Sequence, residues 1–252
     1  MIALDPRAAA AGVRLVTHKV LGSTNSEALN RARRGECGPL WIVAGRQTAG
    51  RGRRGRAWIS QPGNLFASLL LTKPTLPACR PQLSLVAALA VHDAVVEIAV
   101  GLEARVAIKW PNDLLLDRAK LAGILVETES GGDGAVAIGI GINCASHPAD
   151  TEYPAIDLAA AGIPASPAML MGPLSLRMIG RLAQWNGGAG FAAVRADWIA
   201  RAAGIGEDIR LRIADRELSG RFETVDAAGR LVLRSPDGCT ETITAADVFM
   251  AS

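Results

Sequence analysis

Between residues 104 and 143 four β-like runs follow one another, ARVAIKW, DLLLD, KLAGILVETE and AVAIGIGIN, with no helix-length segment between them. The last two read as neighbouring strands joined by the turn SGGDG. Strands in such close succession lack the regular βαβ spacing of a doubly wound parallel fold. They predict a mixed or antiparallel sheet with helices on one face, an α+β class. Upstream, VRLVTHKV, LWIVAGRQ and LFASLLLT supply further strands, and STNSEALNRARRG a short helix. Thr24 and Glu27 fit a capping box for that helix, and Gly35 fits its C-terminal stop. LSLVAALAVHDAVVEIAV, around residues 82 to 99, is interrupted by His92, Asp93 and Glu97, so it reads as a buried helix rather than a membrane span. The proline-bearing stretch 147–167 reads as an irregular surface loop. Residues 168–203 look helical again and close at Gly204.

Beyond Gly204 the pattern changes to short alternating segments punctuated by DAAG and SPDG. This is the signature of a small all-β barrel of about five strands. The expected division is therefore a domain over 1–204 and a small C-terminal domain over 205–252. A chain of 252 residues, 50% apolar and 20% charged, is long enough for both. The N-terminus has no basic start followed by an apolar stretch, so no secretory signal is expected and the cytoplasm is the default location. Cys37, Cys79, Cys144 and Cys239 are scattered, without a Cys-x-x-Cys pair, and His18, His92 and His147 have no metal-ligand spacing. No metal-binding residues are assigned.

Charge is more informative in its distribution than in its total of +3. Met1 to Arg56 holds ten Arg and one Lys against three carboxylates, whereas Ile205 to Ser252 holds six Arg against nine acidic residues. An anionic ligand is therefore expected at the N-terminal third, and the C-terminal segment is not a basic nucleic-acid tail. The excess concentrates in AGRQTAGRGRRGRAWIS, residues 44–60. Gly45, Gly50, Gly52 and Gly55 let the backbone approach a ligand, and the arginines present forked donors suited to carboxylate and phosphate oxygens. A solvated basic loop that binds RNA is the alternative. Against it stand one Tyr and four Phe in the whole chain, too few for base stacking. The spacing is neither that of the Gly-x4-Gly-Lys-Ser/Thr phosphate loop nor that of the Gly-x-Gly-x-x-Gly dinucleotide fingerprint. A second cluster lies in KWPNDLLLDRAKLAGILVE, residues 109–127. Pro111 extends Trp110, and Asn112-Asp113 can bond back to the backbone, which places Lys109 and Asp113 on a sharp turn with Lys120 seven residues on. These charges could be surface decoration. Gly139 and Gly141 of IGIGIN suggest instead a backbone approached closely by a ligand.

Taken in order, STN (23–25), GRQTAGRGRRGR (45–56), KWPND (109–113), KLAGILVE (120–127) and GIGIN (139–143) closely resemble the biotin protein ligases. The resemblance implies a catalytic domain like that of class II aminoacyl-tRNA synthetases and an SH3-like C-terminal barrel. It implies ATP, biotin and magnesium: biotin is activated to biotinyl-5′-adenylate with release of pyrophosphate, then transferred to a lysine of a biotin carboxyl carrier protein of acetyl-CoA carboxylase or a related carboxylase. On this chain Ser23, Thr24 and Gln47 match contacts to the biotin ureido ring, with Asn25 beside them; for Thr24 a pure capping role is the alternative. Gly50, Arg51, Gly52, Arg53 and Arg56 match the loop that folds over the adenylate, Arg51 and Arg53 meeting carboxylate and phosphate. Trp58 matches a position packed on adenine, or is simply a core residue. Lys120 matches the group that meets the biotin carboxylate and the α-phosphate, Lys109 assists phosphate binding or orders the turn, and Asp113 orients or deprotonates the acceptor lysine. Gly123, Ile124 and Leu125 would line the biotin pocket, and Asn143 the nucleotide side. Fewer than 20 residues precede the first strand, too few for the DNA-binding domain of repressor-type members, so neither DNA nor membrane is an expected partner. A homodimer through an extended sheet edge is compatible with the family. Ala246 stands where the family turn carries glycine. A lipoate protein ligase would need a longer, more open pocket and lacks an Arg/Gly loop of this form.

Overall fold

Alternation along each strand sorts side chains onto two faces of a sheet, and in this chain both faces are covered. In a computed structural model, residues 1–252 are described apart from 73, 75, 76, 130–133, 214, 215, 251 and 252. In chain order the main elements are α1 (Pro6–Ala10), β1 (Arg14–His18), α2 (Thr24–Arg33), β2 (Leu40–Ala44), β3 (Leu65–Leu71), α3 (Leu83–Ile98), β4 (Val106–Lys109), β5 (Asp113–Leu116), β6 (Ala119–Thr128) and β7 (Val136–Ile142). Helices α4 (Pro167–Trp185) and α5 (Phe191–Ile199) follow, then β8 (Asp208–Ile213), β9 (Arg216–Val225), β10 (Leu231–Arg234), β11 (Thr240–Ile243) and β12 (Asp247–Met250).

The first seven strands form one sheet in the order β1-β2-β3-β7-β6-β5-β4. Only β1 and β2 run parallel; every other pairing is antiparallel, so the sheet is mixed. The expectation of helices on one face is corrected. Leu40, Ile42, Leu70 and Ala137 pack with Ala28 and Leu29 of α2, while Trp41, Val43, Ala67, Leu69, Ile138 and Ile140 join a larger core with α3 and α4. One residue of offset along each strand selects the face, which is why a nearly continuous apolar run such as LFASLLL feeds both layers. The segment Pro77–Ile98 has the length and mean hydropathy, 1.3, of a membrane span, yet α3 is the central helix of the larger core.

Two local readings also change. The N-cap of α2 is Ser23, whose hydroxyl accepts from Ser26 N at 3.5 Å; Thr24 is the first helical residue, and Glu27 pairs with Arg31 one turn on. Gly35 does terminate the helix, at φ +85°. The stretch 147–167 is less peripheral than expected, since Asp157 and Leu158 are buried and Ala155 bridges to Lys120 of β6. The SGGDG turn lies largely outside the described residues. Strands β8 to β12 make a second, antiparallel sheet in the order β11-β10-β9-β8-β12, and its apolar face, including Leu211, Phe222 and Leu231, continues the larger core.

Candidate active site

The floor of the site is made by the absence of side chains. On the α2 face of the sheet Gly123 stands opposite Gly141, and Leu125 opposite Gly139. A Cβ on Gly141 or Gly123 would lie 2.5 or 2.8 Å from the Trp58 ring, and one on Gly139 2.6 Å from Asn25 Oδ1. The close approach expected from GIGIN is thus made by two protein side chains, an indole and an amide.

Beside this floor, β4 and β5 form a tight hairpin in which Lys109 and Asp113 are direct cross-strand partners. Asn112 fastens the turn to β6, donating from Nδ2 to Ile124 O at 2.5 Å and accepting from Ile124 N at 2.9 Å. Lys120 reaches the same face through a register shift. Asp113 pairs with Gly123, but beyond Leu114 the register slips so that Leu115 pairs with Lys120 instead of Leu121. A regular strand would turn Lys120 to the opposite face; the bulge turns it towards Asp113, and Lys120 Nζ lies 2.7 Å from Asp113 Oδ1.

The start of α2 supplies the polar end. Thr24 N donates to Gln47 Oε1 at 2.8 Å, satisfying one of the amides that a helix N-terminus leaves unpaired. Gln47 Nε2 donates to Ser60 Oγ at 3.2 Å. Asn25 Nδ2 donates to Leu125 O at 3.1 Å and to Glu127 Oε2 at 2.8 Å, and Ser68 Oγ lies 2.6 Å from Asn25 Oδ1 and 2.7 Å from Thr24 Oγ1.

The Arg/Gly loop turns over these groups. Gly52 N donates to Arg56 O at 2.7 Å and Trp58 N to Gly50 O at 2.9 Å. At Gly50 a Cβ would meet Trp58 O at 2.7 Å, and Gly55 adopts φ +73°, so the turn needs glycine at both. Arg51 pairs with Glu127 at 3.2 Å, and Arg53 donates to Asn112 Oδ1 at 3.2 Å. Arg54 pairs with Asp247 of β12 at 3.0 Å, and Arg56 pairs with the other oxygen of the same carboxylate. Burial favours the protonated form of Asp247, but Arg56, Arg54 and Arg212 outweigh it and hold the carboxyl below its ordinary 3.8.

A strap from Asn143 to Ala155 closes the other side. Asn143 Nδ2 donates to Ile156 O at 3.1 Å, and Lys120 N to Pro154 O at 2.7 Å. Tyr153 lies over Lys109, its ring centroid 3.3 Å from Nζ. Burial drives the Lys109 pKa from 10.5 down to about 8, with Lys120 adding to the shift and Asp113 opposing it. Burial likewise lowers the pKa of Arg53, against the pull of Asp113.

Together these groups enclose a cleft of about 500 Å³. It is lined by Ser23, Thr24, Asn25, Gln47, Arg51, Gly52, Arg53, Arg56, Trp58, Lys109, Asp113, Lys120, Gly123, Ile124, Leu125 and Asn143, whereas Gly45, Gly50 and Gly55, also singled out from the sequence, do not line it. Lys109, Lys120, Arg53 and Arg56 gather with the carboxylates Asp113 and Asp247 at one end, and hydroxyls and amides stand at the other, with Arg51 held there by Glu127. Among the described residues no three His, Cys, Asp or Glu gather as a metal site.

Residues 19–143 match the Biotin/lipoate A/B protein ligase family, and residues 204–250 the Biotin protein ligase C terminal domain. The chain is 43% identical to a biotin--[acetyl-CoA-carboxylase] ligase of Paracoccus denitrificans, over 90% of this chain and 96% of that one. The chain belongs to the biotin protein ligase family. Its fold is similar to that of the Aquifex aeolicus biotin protein ligase in complex with biotin and ATP, with a TM-score of 0.80, 25% identity and coverage of 94% of this chain and 99% of that one. It is also similar to the Leishmania major biotin protein ligase in complex with biotinyl-5-AMP, with a TM-score of 0.63, 26% identity and coverage of 92% and 98%. A reading of the sequence misses Tyr153 and Asp247 in the lining, and behind it Ser68 and Glu127, which bond to lining residues. Ser68 is a hydroxyl inside the run LFASLLL, Tyr153 is the one tyrosine of the chain, and Glu127 ends the motif KLAGILVE, so each carried a faint signal. For Asp247 there was none.

Proposed function

We propose that this ligase forms biotinyl-5′-adenylate from biotin and ATP and transfers the biotinyl group to one lysine of a biotin carboxyl carrier protein of a carboxylase. The observation that carries the reading is the polarity of the cleft, neutral donors and acceptors at one end and Lys109, Lys120 and Arg53 at the other. A biotin molecule has a neutral ureido ring at one end and a carboxylate at the other.

In the first step a biotin carboxylate oxygen attacks the α-phosphorus of magnesium-bound ATP and pyrophosphate leaves with the electron pair of the broken P–O bond. The magnesium enters with the triphosphate as part of the substrate. Lys120, aimed by the bulge, stabilises charge gathering on the α-phosphate, and Lys109 and Arg53 neutralise the remaining phosphate oxygens. Arg51, paired with Glu127 at 3.2 Å, leaves that partner to meet the biotin carboxylate. Trp58 packs on adenine, Asn143 meets the nucleotide, and the Arg/Gly loop excludes water from the mixed anhydride. In the second step the neutral amine of the acceptor lysine attacks the acyl carbon, AMP departs, and the amine loses a proton. Asp113, held by Lys120 at 2.7 Å, becomes available to take that proton once Lys120 engages phosphate. We read the architecture as a catalytic domain over 1–204, class II synthetase-like, with an SH3-like domain over 205–252. Location in the cytoplasm, and a homodimer through a sheet edge, belong to the same proposal.

Exchange of pyrophosphate into ATP, compared with biotin, lipoate or no acid, tests the first step without any carrier. Exchange that requires biotin is expected. Lys120→Ala should lower it by about 10²–10³-fold, the scale of losing one preorganised charge contact, with the circular dichroism spectrum unchanged. Exchange supported by lipoate alone, or full activity in Lys120→Ala, would overturn the reading.

A further inference from the structure

Ser68 is fully buried in β3 and does not line the cleft, yet it bonds to two residues that do. The directions of those bonds follow from proton counting. The Asn25 amide has two acceptors on one side, Leu125 O and the Glu127 carboxylate, so its NH₂ group must face them. Rotating the amide would press a carbonyl against both. Its Oδ1 is therefore turned to Ser68, and, being acceptor-only, it takes the single Ser68 proton at 2.6 Å. Ser68 Oγ can then only accept at its other contact, so the Thr24 hydroxyl donates to it at 2.7 Å. Gln47 Oε1, 3.1 Å from Thr24 Oγ1, accepts from Thr24 N at 2.8 Å and has a second lone pair for the Thr24 proton, but that arrangement would leave Ser68 Oγ and Thr24 Oγ1 facing each other at 2.7 Å with no proton between them, so the shorter bond to Ser68 takes it.

With its proton committed inward, Thr24 Oγ1 presents only lone pairs to the cleft. We infer that Ser68 is a specificity-determining positioning residue: through Asn25 and Glu127 it fixes Thr24 as a hydrogen-bond acceptor, so that this end of the site selects a ligand N–H and rejects an ether oxygen at that point. The inference rests on the proposed biotin site and adds to it which atom of a ureide ring Thr24 reads. Glu127 anchors the relay, because the same carboxylate that orients Asn25 also holds Arg51 at 3.2 Å. Polarity at the ring end and placement of the loop thus share one residue.

The test is biotin-dependent pyrophosphate exchange with biotin and with its two cyclic carbamate isosteres, each having one ring N–H replaced by oxygen. Wild-type enzyme should discriminate against one isostere much more than the other. In Ser68→Ala the Thr24 proton is released from its inward bond, so KM for biotin should rise about tenfold, the worth of one hydrogen bond, with kcat changed less than about threefold. Discrimination against the disfavoured isostere should fall by a similar factor, and KM for ATP should stay constant. Ser68→Cys, nearly isosteric and a weak donor, should restore part of the selectivity and covers the case in which Ser68→Ala folds poorly. Equal effects on biotin and both isosteres, or no change in discrimination in either variant, would overturn the inference. Failure of the wild type to use biotin at all would instead overturn the biotin reading.

Discussion

Lys109 shows how burial sets the working range of a single charge. Its ammonium lies beneath the Tyr153 ring at 3.3 Å and its pKa is lowered to about 8, so it is charged at neutral pH and loses its proton as pH rises through 8. Two consequences of opposite sign follow. In the proposed role, Lys109 binds phosphate below pH 8 and releases it above, so kcat/KM for ATP in the exchange reaction should decline along a limb near pH 8. Lys109→Arg, charged throughout, should shift that limb out of the accessible range. For stability the sign reverses, because between about 8 and 10.5 the unfolded chain binds more protons than the folded one, so the contribution of Lys109 to unfolding free energy rises with pH. Chemical denaturation of wild type and Lys109→Met at pH 7 and pH 9.5 measures it; the stability gap between them should narrow at the higher pH.

At the scale of elements, β6 and β7 do more than close the sheet. The shift between Leu114 and Leu115 puts Lys120 on the face of Asp113, and the paired Gly123 and Gly141 leave room for an indole. Gly141→Ala would place a methyl 2.5 Å from the Trp58 ring, and the ring must move. Since Trp58 N also closes the Arg/Gly loop on Gly50 O, that movement should open the turn. Trypsin cleavage within Arg51–Arg56 should accelerate severalfold in Gly141→Ala, with a stability loss of about 1–3 kcal/mol from overpacking. Cleavage at the wild-type rate would mean that the indole does not brace the loop.

For the whole molecule, the C-terminal sheet meets the cleft through several contacts, and Asp247 gathers the charged ones. Asp247 bridges Arg54 and Arg56 of the loop to Arg212 of β8, and Arg212 pairs with Glu152 of the strap at 2.6 Å. Because the folded pKa of Asp247 is depressed, its contribution is complete above the unfolded value near 3.8 and is lost as pH falls through the folded one. The latch should therefore hold at pH 5 and loosen only in stronger acid. Asp247→Asn removes the charge at every pH and should raise KM for ATP about tenfold while increasing protection-factor loss across residues 51–56 in amide exchange. Unchanged exchange in that loop would show that the two parts act independently.

The sequence by itself determined what is local: the strand runs, the Gly35 stop, the Arg/Gly turn and the cationic motifs that Lys109, Lys120 and Arg53 belong to. These follow from short-range periodicity and from residue chemistry, which do not depend on what packs nearby. Only the tertiary structure decided which face each strand gives to which helix, that Ser23 rather than Thr24 caps α2, that a bulge turns Lys120 towards Asp113, and that Ser68, Glu127, Tyr153 and Asp247 complete the site. Arg54 and Asp247 are 193 residues apart, and Ser68 and Asn25 43 apart. The direction of a hydrogen bond or the reach of an ion pair is fixed by approach within about 3 Å, and chain folding alone brings such distant groups that close.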